Sequence, residues 1–136
     1  MIIADTSGLL AMFNVREPRH GDVRAALEAR NEQLAVSPFV LAELDYLLAT
    51  RLGVDAELTV LDEVSSGAYV VDHLDEQNLQ RCTEVIDRYR DQEIGLADAS
   101  IVVMAERHRT RSVLTLDHRH FDVLRPLDGG RFQLLP

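Results

Sequence analysis

Short, uncharged apolar runs alternate along this chain with stretches of helical periodicity, and that alternation restricts the fold more than any other feature. Ile2-Ile3-Ala4, Leu34-Ala35-Val36, Ala68-Tyr69-Val70-Val71 and Val113-Leu114-Thr115-Leu116 read as buried strands. Between them, Asp5-Thr6-Ser7 leads into a helix through Leu9 to Phe13, and a second helix runs from Pro18 to about Arg30. Ser37-Pro38, a cap followed by proline, opens a third that ends near Gly53, and a further helical segment reaches about Ser65. Helical patterns return from Asp75 to about Arg90 and from Leu96 to His108, and after a Gly129-Gly130 turn Phe132 to Leu134 reads as an edge strand. Strands this short and continuously apolar, joined by helices, imply an α/β fold with parallel pairing and both faces of the sheet covered. Ligands bind such sheets outside the carboxyl ends of the strands. Asp5 and Asp117 directly follow strands and are expected along that edge.

The 136 residues suit one domain spanning 1–136, with no internal repeat or linker. No stretch approaches the roughly 20 uncharged apolar residues of a bilayer span, and Met1-Ile2-Ile3-Ala4 reaches Asp5 without a basic leader, so a cytoplasmic protein with no membrane association is expected. The single Cys82 lies at helical spacing from Leu79, Ile86 and Tyr89, which reads as core in a reducing compartment. A net charge of −9 argues against general electrostatic attraction to nucleic acid, so any such contact must be local. All 14 fixed cations are arginine. The absence of lysine removes P-loop phosphate binding, Schiff-base chemistry and lysine-assisted aspartyl-phosphate sites, and with them counts against a phosphatase.

Two more acids stand at strained positions. On the helix from Pro38, Glu43 lies at one margin of the apolar stripe formed by Val40, Leu44, Leu47 and Leu48, and Asp45 lies at the other, so periodicity leaves the choice between them open. Asp98 is flanked by Ile101, Val102 and Ala105 in a segment apolar nearly all round, where a carboxylate needs a partner. Taken singly, each acid has a plain reading: Asp5 as a helix cap, Asp98 as a complement to a helix dipole, Asp117 as the opening of a turn, Glu43 as a solvated side chain. Taken together, two acids at strand ends and two on helices can converge. Four carboxylates about 5 Å apart would repel by up to roughly 20 kcal/mol in total at an effective dielectric of about 20, more than the roughly 5–15 kcal/mol by which a domain is stable. A bound cation relieves this most directly, and an all-oxygen donor set favours Mg2+ or Mn2+, which supports phosphodiester hydrolysis by a polarised water.

The four acids sit in segments that resemble a known family. Ile3-Ala4-Asp5-Thr6-Ser7-Gly8-Leu9-Leu10, Ser37-Pro38-Phe39-Val40-Leu41-Ala42-Glu43-Leu44, Leu96-Ala97-Asp98-Ala99-Ser100-Ile101 and Leu114-Thr115-Leu116-Asp117-His118-Arg119-His120-Phe121 are similar, in order and spacing, to the four motifs of PIN-domain nucleases, and most similar to VapC-type toxins. The resemblance implies a three-layer α/β/α sandwich with a central, mainly parallel sheet. It also implies a Mg2+- or Mn2+-dependent endoribonuclease, homodimerisation and inhibition by a cognate VapB-like antitoxin. It carries Asp5, Glu43, Asp98 and Asp117 over as catalytic metal-holding residues and so selects Glu43 over Asp45. Thr6, Ser7 and Thr115 are placed to orient carboxylates or waters. Arg107, Arg109, Arg111 and Arg119 flank the last two motifs as candidates for a local basic rim along an RNA backbone, against the plainer reading of a solvated helix end. His118 and His120 read as surface residues beside a turn, and His20 as a helix start without a role. The alternative function is a catalytically silent PIN-like module that binds RNA or protein; all four acidic positions being filled counts against it.

Overall fold

The computed structural model describes residues 1–136. Five strands, β1 (Ile2–Ala4), β2 (Leu34–Val36), β3 (Val70–Val71), β4 (Ser112–Leu114) and β5 (Gln133–Leu135), form one sheet in the order β3-β2-β1-β4-β5. Every pairing is parallel, with Ile3 opposite Ala35 on one side and Val113 on the other. Seven helices connect them: α1 (Thr6–Phe13), α2 (His20–Arg30), α3 (Pro38–Arg51), α4 (Val54–Glu63), α5 (Glu76–Arg88), α6 (Leu96–Arg107) and α7 (His118–Phe121). The result is the expected three-layer α/β/α sandwich. No helix is long and apolar enough to cross a membrane.

Each residue of β1 and β2 is buried, as strands covered on both faces must be, and the core runs from them into Leu9, Leu44, Leu48 and the buried stretch of α6 from Ala99 to Ala105. Cys82 is fully buried in it. The strand order reverses direction at β1, whose neighbours are β2 on one side and β4 on the other. A crevice opens at such a reversal because the connections leaving the two strands depart to opposite faces of the sheet. Asp5 and Asp117 are fed into that crevice by β1 and β4.

Local chemistry sets the approach of the elements. Ser37 caps α3 by accepting from the Phe39 backbone N–H at 3.1 Å, and Asp75 with Asn78 forms a reciprocal capping box on α5. Gly8 brings the start of α1 against β4: a Cβ there would stand 2.6 Å from the Leu114 carbonyl oxygen, so a larger residue cannot occupy the position without moving the helix. Ser100 Oγ on α6 lies 2.7 Å from Ser37 Oγ at the head of α3, both fully buried.

Some boundaries differ from expectation. α2 begins at His20 rather than Pro18, because residues 15–19 turn before entering it. The strand expected over Ala68–Val71 shrinks to Val70–Val71, since a wide helical turn over Val64–Ala68 continues past Glu63 and ends through Gly67 at φ 92°. β4 ends at Leu114 rather than Leu116, and the segment read as a turn after Asp117 forms α7. The terminal strand is shifted by one residue, to Gln133–Leu135, and is the parallel edge beside β4.

Candidate active site

Asp5 occupies the N-cap position of α1, yet its side chain caps nothing. Oδ2 instead accepts hydrogen bonds from Ser7 Oγ and Thr115 Oγ1, both at 2.7 Å, and the residue is only 6% exposed. Each hydroxyl in turn accepts a backbone N–H: Ser7 Oγ from Leu116 at 2.9 Å and Thr115 Oγ1 from Asp117 at 2.9 Å. Both hydroxyls thereby have donor and acceptor satisfied, and the loops leaving β1 and β4 are tied to one carboxylate. Charge-assisted bonds of this kind fix orientation as well as energy. The other oxygen, Oδ1, has no protein donor and is left for whatever enters the cleft.

Around Asp5, the structure brings the other three acids to one cleft of about 430 Å³. Asp98 enters from the first turn of α6, Asp117 from the cap of α7, and Glu43 from the second turn of α3. Asp45 faces α4, where it meets Glu57. Asp117 also has the plain role open to it, accepting from the His120 backbone N–H at 3.2 Å. Asp98 reports the shared field: its carboxyl is pushed up to about 6, first by burial, then by the negative charge of Asp5, with smaller contributions from Asp117 and Glu43 and partial relief from His120. A group perturbed by burial together with named charges in a cleft is a mark of a functional site.

His120 is the residue that sequence reasoning set aside. Its Nδ1 lies 3.2 Å from both Asp98 Oδ2 and Asp117 Oδ2, and its side chain is 19% exposed, so it belongs to the cleft and not to the open surface. The available signal was the three-residue spacing from Asp117, which becomes a contact only if the segment is helical, as α7 proves to be. Arg51, at the last turn of α3, also lines the cleft and had no sequence signal beyond its eight-residue separation from Glu43. None of the four arginines proposed from sequence lines the cleft; Arg119 is exposed on α7, two residues after Asp117. Arg107 is bound to Asp72 Oδ2 and the His73 carbonyl, each at 3.0 Å. Arg109 and Arg111 precede β4 and therefore stand at the opposite edge of the sheet, Arg111 pairing with Asp128 at 3.3 Å. His118 is exposed, as expected, and His20 places Nδ1 2.8 Å from the Ala11 carbonyl oxygen, a structural tie between α2 and α1.

Two observations bear on whether a divalent cation suits the cleft. Thr6 lines it, and its Oγ1 is the buried side-chain polar atom that finds no hydrogen-bond partner in the protein, in a residue 3% exposed. An orphaned buried hydroxyl costs roughly 1–3 kcal/mol, which a water or ligand oxygen would remove. The donor set is carboxylate oxygen with one imidazole and no sulfur, which fits a hard cation. No three of these groups close into a ready cage. A second hollow of about 410 Å³, between α1, α2 and Tyr69, has no such convergence of acids; there the Tyr69 hydroxyl donates to Glu63 at 2.9 Å.

The sequence profile of the PIN domain matches residues 2–125. Ribonuclease VapC26 of Mycobacterium tuberculosis (strain H37Rv) is 50% identical over 135 residues, covering 99% of this chain and 100% of that protein. Among solved structures, Mycobacterium tuberculosis VapC20, described as a sarcin–ricin loop cleaving toxin, superposes with a TM-score of 0.78 at 24% identity, covering 86% of this chain and 90% of its own. VapBC2 from Rickettsia felis, solved on a promoter DNA fragment, superposes with a TM-score of 0.71 at 20% identity over 100% of both chains.

Proposed function

Because this chain belongs to the PIN-domain family, we propose that it is a Mg2+- or Mn2+-dependent endoribonuclease, formed by one domain over 1–136, and that it acts as the toxin of a type II toxin–antitoxin pair. The observation that carries the reading is the single cleft lined by Asp5, Glu43, Asp98 and Asp117, where burial first and the charge of the neighbouring acids second push the Asp98 carboxyl up to about 6. The 50% identity to a protein named a ribonuclease supports the choice of RNA as substrate.

In this reading Asp5, Glu43, Asp98 and Asp117 hold the metal. When bound, the ion supplies charge neutralisation at the scissile phosphate and a more acidic water. The remaining work falls to the chain itself. Ser7 and Thr115 hold Asp5 Oδ2, so that Oδ1 is turned to the ion. Thr6 Oγ1, otherwise unpartnered, orients a water or a phosphate oxygen. His120, between Asp98 and Asp117, reduces the repulsion between them and fixes their orientation. Arg119 meets the RNA backbone from the α7 side.

A VapB-like antitoxin would neutralise the protein by presenting an arginine to the carboxylates in place of the metal. A homodimer in the cytoplasm completes the reading. The test is cleavage of RNA by the purified protein with Mg2+ or Mn2+. Activity should vanish with chelator and in Asp5→Asn and Asp98→Asn; cleavage that persists in either variant overturns the assignment. Growth arrest on expression, relieved by a product encoded beside the gene, tests the toxin role separately.

A further inference from the structure

We infer that Arg51 is a substrate-positioning residue that holds a backbone phosphate of the RNA strand at some distance from the scissile bond, an inference that rests on the nuclease reading above. Arg51 is an arginine lining the acidic cleft, and it is exposed. Several arginines elsewhere are tied to carboxylates, as Arg81 is to Glu106 at 2.6 Å, Arg107 to Asp72 at 3.0 Å and Arg111 to Asp128 at 3.3 Å, and of those left unpaired Arg51 is the one that lines the cleft. Arg51 shares its cleft with four acids and forms no ion pair or hydrogen bond with any of them. Its guanidinium therefore keeps all five donors for a ligand.

The geometry of α3 says where that ligand lies. Glu43, Leu47 and Arg51 follow each other at four-residue intervals, so they form one row along the helix, and all three line the cleft. Eight residues of α-helix put Arg51 about 12 Å along the axis from Glu43. Side chains lean toward the helix N-terminus, so Arg51 reaches back over Leu47 toward the acids without arriving at them. An anion bound there lies along the strand from the reacting phosphate, not on it.

Charge makes such a contact necessary. The cleft carries four carboxylates in a chain of net charge −9, and one divalent ion leaves a negative surplus that repels a polyanion. A planar fork on the rim offsets that repulsion where the strand must pass, and arginine matches phosphate bidentately. The plain alternative is that Arg51 only complements the C-terminal dipole of α3, where a cation is favourable whatever the substrate. The two readings differ in what they do to salt dependence.

The experiment compares wild type, Arg51→Gln, Arg51→Lys and Arg51→Glu on a fluorophore-labelled single-stranded RNA, with Mn2+, at on the order of 50 to 200 mM KCl. Arg51→Gln should raise KM about tenfold and leave kcat within about twofold, as expected for a lost charge-assisted contact remote from the bond broken. The slope of log(kcat/KM) against log[salt] should become shallower by about 0.7, the share of one phosphate on a single strand. Arg51→Lys should restore that slope, and Arg51→Glu should raise KM further. A wild-type slope in Arg51→Gln, or a loss confined to kcat, overturns the inference while leaving the nuclease reading intact. Failure of the wild type to cleave any RNA overturns both.

Discussion

Replacing Asp98 by asparagine should make the metal-free protein more stable. The Asp98 carboxyl titrates at about 6 against an ordinary 3.8, and each pKa unit is about 1.4 kcal/mol of differential interaction. The folded state therefore binds this proton more tightly than the unfolded chain does. Stability conferred by the site is greatest below pH ~4, falls as pH rises toward 6, and is depressed by a constant amount above that. The ceiling on the penalty is roughly 3 kcal/mol. The side chain is 18% exposed and faces His120 Nδ1 at 3.2 Å. Solvent screening and loss of that contact bring the expected gain in Asp98→Asn to about 1–2 kcal/mol. At this chain length that is a rise of roughly 3–6 °C in Tm. The assay is thermal unfolding by circular dichroism in EDTA, at pH 8 and again near pH 4. The variant should melt higher at pH 8, and the difference should close near pH 4. A variant that melts lower at pH 8, or a gain that persists unchanged in acid, would refute the claim that burial and the neighbouring acids penalise the charged Asp98 carboxylate.

Mn2+ should narrow or close the gap between the two proteins: at ten times its Kd it adds about 1.4 kcal/mol to the wild type and little to Asp98→Asn, readable as a melting shift that EDTA abolishes. Thr6→Val, which removes an orphaned hydroxyl at constant shape, should melt no lower than wild type but turn over RNA more slowly, and a large loss of Tm would show that Oγ1 has a protein partner after all. Gly8→Ala forces a Cβ toward the Leu114 carbonyl at 2.6 Å and should lower stability by about 1–3 kcal/mol with a parallel loss of activity, since the same contact sets Asp5 against Thr115; unchanged melting would mean α1 can slide freely.

Much of the architecture was legible because buried parallel strands leave an unmistakable mark. Ile2-Ile3-Ala4 and Leu34-Ala35-Val36 have no polar alternation, and each is a fully buried strand. The ends of elements were less so. Nothing before Gly67 marks where α4 stops, so the wide turn over Val64–Ala68 took residues that local apolarity assigned to a strand. In the site, Asp5 and Asp117 could be placed by strand order alone, because their positions are backbone consequences. Glu43 and Asp45 could not be separated by periodicity, since both border one stripe; only the position of α4 against α3 turns Asp45 away. His120 was missed because a four-residue helix is too short to show a period, and the two-fold pairing with Asp98 is a tertiary contact. Arginine candidates chosen by closeness in sequence to the last two motifs fared by which end of an element they occupied: Arg109 and Arg111 lead into β4 and are carried to its far end.

The buried hydroxyl pair joins α3 to α6. Ser100 Oγ stands within reach of both Ser37 Oγ at 2.7 Å and the Ala97 carbonyl at 2.6 Å, but carries a single proton. Ser37 Oγ accepts from Phe39 N–H and from Ser100 Oγ, so the single Ser100 proton is shared between Ser37 Oγ and the carbonyl just ahead of Asp98. Losing either serine leaves the other only its local backbone partner and removes the buried link between α3 and α6. Across relatives, these two positions are expected to change as a couple, an interdependence between the scaffolds of Glu43 and Asp98 that no comparison of the acids by themselves would disclose.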